Sequence, residues 1–427
     1  MDKIKIILLC MMTLVLCKHT IYAQKRLEIA IEQAEKQFLE KNLQLLAERC
    51  NIEIAEAAIV QAKVLDNPTI GVGGINFWNP NAAEELGVSP TPFGNRIVFS
   101  VELEQIIRTA GKRRKLIDME KTSKEIIIQE FESLLLGLKT ELKIILYETI
   151  FLQSYLEIID LQLKSVSNLV DVYKNQTLSG NIPKSELIRL QSSHVELETE
   201  AIEVRTELNK QYKELKVLLN ISPETEIWII PSVITVKNPD DISLTDLLET
   251  AKSSRPEFLL SDLNIKYNEK LLRFEKSLRS PDVSLSFNYD RYGGVWKNFA
   301  GIGISIDIPV FNRNQGTIKM AKLNIEQSAY IAEHQKNMIR HEIFEMYNNY
   351  KMNFNFYQRL ADDNLFEDLE NMLDVYSRNL LNRNISMLEF IDFIGAYQSA
   401  SKAFLLAKKN LNTSFEELQF SVNSKIN

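Results

Sequence analysis

PDVSLSFNYDRYGGVWKNFAGIGISIDIPVF, from Pro281 to Phe311, holds two stretches in which apolar and polar residues alternate. The apolar series are Val283, Leu285, Phe287 and Tyr289 in the first stretch, and Ile302, Ile304, Ile306 and Ile308 in the second. A period of two with Gly293-Gly294 between the stretches predicts a hairpin with strands over 282–290 and 299–308. An apolar face opposite a small or acidic one is typical of a strand between lipid and water. Each arm is close to the roughly 9 to 11 residues that such a strand needs.

The same pattern occurs earlier in the chain and indicates an internal duplication. Strands are predicted over 69–77 and 96–104, the second with Phe99, Val101 and Leu103 on one face. Asp171-Val172-Tyr173 returns as Asp374-Val375-Tyr376, and Asn181-Ile182 returns as Asn384-Ile385, both 203 positions later. Two matches in one register, flanked by matching strands, predict a first repeat over 24–228, a linking segment over 229–243 and a second repeat over 244–427.

Long helices fill the rest of the predicted fold. No proline lies between Pro92 and Pro183 or after Pro309, and these tracts are rich in helix-favouring residues. Helices are predicted over 25–65, 106–178, 184–220, 244–276 and 316–381, and from the second turn to Val422, with a short strand over 227–230. The fold class is therefore mainly α with a small β part.

The amino terminus is typical of a secretory signal peptide over 1–23. Lys3 and Lys5 precede an apolar run, and cleavage is expected between Ala23 and Gln24. Lipoprotein processing at Cys17 is the alternative. The formal charge of the whole chain is −7 and becomes −9 without the signal, which argues against nucleic acid as a partner. Only Cys50 would remain, so no intramolecular disulfide is expected.

With these features the chain resembles the TolC family of outer-membrane efflux channels. The resemblance is carried by Asn67-Pro68, Ser280-Pro281, Gly111 to Arg114, Pro309-Val310-Phe311, Gly316, and the turns at Gly180 and Arg383. It implies a homotrimer in the outer membrane with a shared 12-stranded transmembrane β-barrel. Long antiparallel coiled-coil helices would continue it as a trimeric α-barrel in the periplasm. Four strands cannot close a barrel alone, which independently requires several chains.

The resemblance also implies partners and excludes catalysis. An inner-membrane pump and a periplasmic adaptor would dock on the helical tips, and outer-membrane lipid would surround the strands. The run from Glu104 to Arg114 is most similar to the heavy-metal cation branch, the CzcC/CusC-like channels. No nucleophile and base pair, phosphate loop or ligand cluster is recognisable, so neither an enzyme nor a cofactor is expected.

Two sets of candidate residues follow from the predicted tip. The turns Gly180, Asn181, Ile182 and Pro183, and Arg383, Asn384, Ile385 and Ser386, are expected to contact the adaptor, or else are only helix reversals. Asp171, Tyr173, Asp374, Tyr376 and Arg378 are candidates for a periplasmic gate, with a solvated helix face as the alternative. Ion pairs in a narrow, partly desolvated constriction would bind more strongly than surface pairs.

Three further groups of residues have other candidate roles. Lys112 to Lys115 could lie among lipid headgroups, line the channel wall or form a solvated face. Trp78, Tyr292, Trp296 and Phe311 fit an aromatic girdle. His334, His341 and Glu345 share a helix face, and packing between helices is expected there rather than metal binding.

The sequence hypothesis is an exit duct for a tripartite efflux pump, with heavy-metal cations as the expected solute. Drugs or secreted polypeptides are alternatives in the same class. A soluble periplasmic coiled-coil scaffold is the alternative from another class.

Overall fold

The computed structural model describes residues 26–73, 99–232, 236–291, 298–362 and 365–426. Helices make up most of this part of the chain, and their bounds are α1 Ile31–Lys41, α2 Leu43–Lys63, α3 Lys112–Leu178, α4 Lys184–Leu218, α5 Leu244–Ser254, α6 Pro256–Ser277, α7 Gln315–Asp362, α8 Leu365–Leu381 and α9 Met387–Val422. The strands are β1 Leu27–Ala30, β2 Thr69–Gly73, β3 Phe99–Ile107, β4 Ile227–Ile230, β5 Val283–Arg291 and β6 Asn298–Ile306. The predicted mainly α fold with a small β part is confirmed.

The chain divides into two compact units. We call residues 47–134 and 249–341 the sheet unit, and residues 26–46, 135–248 and 342–426 the helical unit. Helix α3 alone has 67 residues, which at about 1.5 Å per residue corresponds to roughly 100 Å. None of the helices that the structure describes combines the length and hydropathy that a membrane span requires.

The sheet unit contains a four-stranded antiparallel sheet in the order β2-β3-β5-β6. Leu285 stands opposite Ile304, and Phe287 stands between Leu103 and Ile302. The register therefore gathers the alternating apolar residues of all four strands on one face. This is the arrangement that the period of two predicts.

Two strand ends differ from the predicted ones by two residues or more. Strand β3 continues through Ile106 and Ile107, which pair with Ser284 and Val283, so the predicted helix start at Ile106 was wrong. The helix begins at Lys112, after Ala110 and Gly111 turn the chain with φ of 53° and 67°. Strand β6 ends at Ile306 rather than at 308. Pro309 has no N–H for a ladder, and Val310 N instead donates to the carbonyl of Ile308, at 2.9 Å.

Several predicted features lie outside the described residues. They are the signal peptide with Ala23 and Gln24, the end of the first strand over 74–77, the start of the second over 96–98, the Gly293-Gly294 turn, and Trp78, Tyr292 and Trp296.

The helical unit contains a small parallel sheet that the sequence did not predict in full. Strand β1 pairs with β4, so the helix predicted over 25–65 was wrong at its start. The pairing buries Ile29, Ile227 and Ile229. The remaining helix is also interrupted at Asn42, whose side chain donates to Leu218 O and accepts from Leu45 N, both at 2.9 Å.

Two other predicted helices are subdivided. The helix predicted over 244–276 consists of α5 and α6, which are separated by Arg255, and Pro256 is the first residue of α6. Proline favours that position because its missing N–H is not needed there. The helix predicted over 316–381 is described as α7 and α8, with residues 363 and 364 outside the described part.

A hydrophobic cluster of the helical unit lies near the two helix turns and joins the repeats. We call it the tip core, and its buried members are Val166, Leu169, Tyr173, Leu190, Leu197, Leu373, Leu380, Met387, Phe390, Phe393, Ile394 and Tyr397. These residues come from α3, α4, α8 and α9. Both helical hairpins therefore pack on one another through a common core.

Candidate channel surfaces and helical tips

The two predicted tip turns have the same backbone geometry. Gly180 has a φ of 72° and Arg383 a φ of 60°, so the arginine adopts the left-handed conformation that glycine adopts in the first repeat. Asn181 N donates to Gln176 O, and Asn384 N donates to Asn379 O, both at 2.9 Å. This six-residue closure is the Schellman arrangement that ends many helices. The substitution of glycine by arginine thus leaves the turn unchanged.

The turns are also tied to each other and to the tip core. Arg383 Nη2 donates to the backbone carbonyl of Asn181, at 3.0 Å. Ile182 and Ile385 are partly buried against the tip core. The residues that remain exposed are Gly180, Asn181, Pro183, Arg383, Asn384 and Ser386. The tip therefore offers a rigid, mostly uncharged hydrogen-bonding surface.

A capping box fixes the start of α9 at the second turn. Ser386 Oγ accepts from Glu389 N, and the Glu389 carboxylate accepts from Ser386 N at 2.7 Å. Ser386 N and Ser386 Oγ both donate to the Glu389 carboxylate, and these bonds, the backbone one first, lower the pKa of Glu389. Pro183 stands at the equivalent position before α4. Both turns are therefore stiff on their carboxyl-terminal side.

The candidate gate residues separate into an exposed set and a buried set. Asp374 and Arg378 form an ion pair on one face of α8, with exposed side-chain fractions of 67% and 73%, and Asp171 is also exposed. Tyr173 belongs to the tip core, where burial raises its pKa. Tyr376 stacks on Phe393 with ring centroids 4.0 Å apart. The charged residues are thus accessible to solutes, whereas the tyrosines hold the hairpins together.

The sheet has one apolar and one acidic face. On the apolar face Phe287, Ile304 and Ile302 are 50%, 68% and 83% exposed in the single chain. The opposite face carries Glu102, Glu104 and Asp290, and within the described parts of the strands no Lys or Arg stands on that face. Such a sheet needs an apolar medium on one side and water on the other.

Glycines make room for larger residues on the acidic face. A Cβ on Gly303 would lie 2.5 Å from Ser286 Oγ, and one on Gly301 would lie 2.9 Å from the ring of Phe299. Phe299 and Ile106 are apolar residues on this face, and the ring of Phe299 lies over Gly301. A larger residue at either glycine would force a neighbouring side chain to move.

Helices of the sheet unit follow the same order as the strands. Contacts run from α2 to α3 through Glu56 and Lys124, from α3 to α6 through Ser133 and Glu257, and from α6 to α7 through Asp262 and Lys336. In the described residues, α2 and α7 thus border the layer as β2 and β6 border the sheet. Exposed apolar side chains mark these helices: Ile54 and Val60 on α2, and Leu323, Tyr330 and Ile331 on α7.

The basic run at the start of α3 is divided between two roles. Lys112 is buried, pairs with Asp282 at 2.7 Å and donates to Ser280 O at 2.7 Å. Arg113 and Arg114 are exposed. Lys112 therefore joins the two repeats, and only its neighbours are available to a partner.

The histidine group does not form a site in this chain. His334, His341 and Glu345 are all exposed along α7, so the expected packing between helices was wrong for the single chain. Across the residues that the structure describes, no three His, Cys, Asp or Glu side chains are grouped so that they could hold a metal ion.

Sequence reasoning missed a buried polar network in the helical unit. Glu416 is 8% exposed and accepts from Lys143 Nζ at 2.8 Å and from Tyr147 OH at 3.2 Å. Lys143 also lies 3.4 Å from Glu35. Burial on its own would lower the pKa of Lys143, but the ion pairs with Glu416 and Glu35 outweigh it and the pKa is raised. Burial, followed by the Glu416 carboxylate, raises the pKa of Tyr147.

The comparisons with known proteins give a match of folds. No protein-family model and no curated protein sequence matches the chain. Among solved structures, the CmeC outer membrane channel of Campylobacter jejuni is 14% identical with a TM-score of 0.74, covering 92% of this chain and 85% of that one. The outer membrane protein VceC of Vibrio cholerae is 13% identical with a TM-score of 0.71, covering 92% and 96%. CusC, described as forming a transmembrane channel, is 14% identical with a TM-score of 0.69, covering 92% of each chain.

The chain therefore has the fold of the TolC-type outer membrane channels, in which helices form an α-barrel and strands a β-barrel. CusC is no more similar than the other two, so the match does not single out a metal-efflux branch.

Proposed function

We propose that this chain is the outer membrane channel of a tripartite efflux system and works as a homotrimer. Each copy would supply four strands to a 12-stranded β-barrel in the outer membrane and its long helices to an α-barrel in the periplasm. The channel would catalyse no reaction. Solutes would pass through it, and an inner-membrane pump would supply the energy.

The observation that carries the proposal is the four-stranded sheet, which has one exposed apolar face and whose outer strands β2 and β6 have no further strand beside them in the described residues. Unpaired backbone groups at a sheet edge are not tolerated in lipid, so a membrane-embedded sheet of this kind must be completed by neighbours. The bordering helices α2 and α7 carry exposed apolar side chains such as Val60 and Ile331. Joining these helices and strands β2 and β6 between copies would cover both kinds of edge.

The proposed solutes are cations, and heavy-metal cations in particular. Glu102, Glu104 and Asp290 would face the lumen of the barrel, because the apolar face of the sheet would face lipid. Rings of carboxylates raise the local concentration of cations and repel anions. The resemblance of Glu104 to Arg114 to the heavy-metal branch favours the same class.

The exposed tip is proposed as the docking surface for a periplasmic adaptor protein. Its turns are rigid, since Arg383 donates a hydrogen bond to Asn181 O and Ser386 forms a capping box with Glu389. A preformed surface loses little conformational entropy on binding. The gate is proposed at the exposed Asp171, Asp374 and Arg378.

Fractionation and a deletion strain test the proposal together. The full chain is expected in the outer-membrane fraction, to require detergent for extraction and to run as a heat-sensitive trimer. A water-soluble monomer would overturn the channel. The deletion strain is expected to become sensitive to heavy-metal salts, and complementation should restore tolerance. Unchanged metal tolerance with new drug sensitivity would reject the cation assignment and leave the channel standing.

A further inference from the structure

The apolar series of strand β6 continues beyond the end of the strand. Ile302, Ile304 and Ile306 belong to the exposed apolar face of the sheet, and the series goes on through Ile308 and Val310. Phe311 follows and is 94% exposed. The apolar series thus continues past the end of β6 into a tight turn around Pro309, where Val310 N donates to Ile308 O.

Hydrogen bonds bring three segments together at this end of the sheet. Lys112 Nζ donates to Ser280 O at 2.7 Å, which joins the start of α3 to the segment after α6. Asn314 Nδ2 donates to Glu275 O at 3.0 Å, which joins the segment after β6 to the end of α6. We call residues 108–114, 275–282 and 308–314 the collar.

The collar carries more positive charge than its own carboxylates compensate. Arg108 is accounted for by a two-bond ion pair with Asp66, at 2.8 and 2.7 Å, and Lys112 by its pair with Asp282. The remaining guanidinium groups of the collar are exposed, and in the part of the chain that the structure describes they form no ion pair with a carboxylate: Arg113, Arg114, Arg279 and Arg313. Four exposed arginines therefore belong to the same three joined segments as the exposed Phe311.

We propose that the collar binds the phosphate headgroups of an anionic glycerophospholipid leaflet, with Phe311 in the boundary between headgroups and acyl chains. This inference rests on the proposed function, since it places the collar where the β-barrel would leave the membrane. Arginine matches phosphate oxygens with two parallel hydrogen bonds. Aromatic rings favour the membrane interface, and basic residues beside it are attracted to anionic lipids.

The charge pattern favours lipid over a protein as the occupant of this surface. The apolar series of β6 would continue the lipid-facing side of the sheet. In every copy around the barrel it would therefore meet the acyl chains at the same depth. The uncompensated arginines then fall at the level of the phosphates. The paired residues Arg108 and Lys112 serve the fold, and the four exposed arginines remain for the leaflet.

Lipid binding to the full chain, purified in detergent, tests the collar. Phosphatidylglycerol and phosphatidylcholine are titrated separately, and bound lipids are counted by native mass spectrometry. The wild-type protein is expected to prefer phosphatidylglycerol. The variant Arg113→Gln, Arg114→Gln, Arg279→Gln and Arg313→Gln is expected to lose that preference by about tenfold or more. The matched control, Lys36→Gln, Lys174→Gln, Lys184→Gln and Arg189→Gln, removes the same charge from exposed positions of the helical unit and should keep it.

A second variant separates headgroup binding from insertion of the ring. Phe311→Ser is expected to weaken binding of both lipids while keeping the preference for phosphatidylglycerol.

The outcomes distinguish the collar from the channel. Loss of the preference in a variant that still forms the heat-sensitive trimer would support the collar. An unchanged preference in the same variant, or an equal loss in the control, would overturn it and leave the channel proposal intact. A wild-type chain that is a water-soluble monomer would instead overturn the channel and the collar with it.

Discussion

Arg383 donates a hydrogen bond to the backbone carbonyl of Asn181, at 3.0 Å, and so links the turn of the second repeat to the turn of the first. Arg383 makes this bond from a left-handed conformation with a φ of 60°. A side chain there costs on the order of 1 kcal/mol relative to glycine. A hydrogen bond between neutral groups contributes about 1 kcal/mol on average, which offsets that cost. A bond from a charged donor such as the guanidinium of Arg383 contributes more.

Two substitutions at this position separate the bond from the strain. Arg383→Ala loses the bond and keeps the strain, so we expect a loss of about 1 to 2 kcal/mol of stability. Arg383→Gly loses the bond but relieves the strain, so its stability should change little. Hydrogen exchange of the segment 178–187 should be faster in both variants, with a lower melting temperature only for Arg383→Ala. Arg189→Ala, an exposed arginine of α4, is the control. Exchange at wild-type rates would mean that the bond does not hold the tips together.

The buried network around Glu416 is expected to control stability at high pH. The pKa of Lys143 and of Tyr147 is raised in the folded chain. Groups with a raised folded-state pKa stabilise the fold at a pH below the unfolded value, about 10 for both, and lose this effect as pH rises through the folded value. The melting temperature should therefore fall steeply above about pH 10. Tyr147→Phe should make that fall shallower, and an unchanged profile would contradict the assignment.

Removal of one partner tests the same network at neutral pH. Lys143→Met leaves Glu416 with a buried and unpaired charge and should cost about 3 to 5 kcal/mol. The double variant Lys143→Met with Glu416→Leu removes both charges and should recover most of that loss, as measured by chemical unfolding. If the double variant is as unstable as the single one, packing rather than charge explains the effect.

The parts of the fold that repeat or alternate could be predicted from the sequence, and those that depend on distant pairing could not. The strands around Phe287 and Ile304 could be recognised by their period of two, which arises because one face of the sheet needs an apolar medium and the other needs water. Strand β1 has no such pattern over its four residues. Strand β1 is stabilised by pairing with Ile227–Ile230, some 200 positions away, and a pairing at that distance cannot be predicted from local sequence.

The sequence did not distinguish the exposed candidate gate residues from the buried ones, for a reason of helix geometry. Asp171 and Tyr173 are two positions apart, and so are Asp374 and Tyr376. Residues at that spacing point to different sides of a helix. The structure accordingly exposes the aspartates and buries Tyr173 in the tip core. The burial and pairing of Glu416 and Lys143 could not be predicted from the sequence. Charged residues in a helical pattern are expected on the solvated surface unless the packing is known.

Gly303 is expected to be essential for the sheet. Because a Cβ at this position would lie 2.5 Å from Ser286 Oγ, Gly303→Val should reduce the yield of heat-sensitive trimer in membranes strongly. Gly303→Ala should reduce it less, and Ser286→Gly should rescue Gly303→Ala by opening the space. Ser286→Gly alone is the control and should form the trimer normally. If Ser286→Gly does not rescue Gly303→Ala, close approach to Ser286 is not the cause of the loss.

The carboxylates of the acidic sheet face are expected to set ion selectivity. Glu102→Gln with Glu104→Gln should shift the reversal potential in a potassium chloride gradient toward zero, because fewer charges would then repel chloride in the lumen. Planar-bilayer recordings measure the shift. Glu224→Gln with Glu226→Gln removes the same charge beside strand β4 and should leave the potential unchanged. A wild-type reversal potential in the first variant would mean that these strands do not line the conducting path.

The exposed aspartates near the tips are expected to hold the channel closed. Asp374 and Arg378 are about two-thirds exposed or more, so their pair contributes at most about 1 kcal/mol to folding. Asp171→Ala with Asp374→Ala should therefore raise the leak conductance in planar bilayers with little change in melting temperature. Glu196→Ala with Asp392→Ala removes the same charge from exposed positions of α4 and α9 and should not alter the current. Tyr376→Ala is expected to act differently: losing the stack on Phe393 should cost about 3 kcal/mol of stability. An unaltered closed-state current in the aspartate variant would reject the gate. The aspartates would then belong to a solvated helix face that does not help to close the channel.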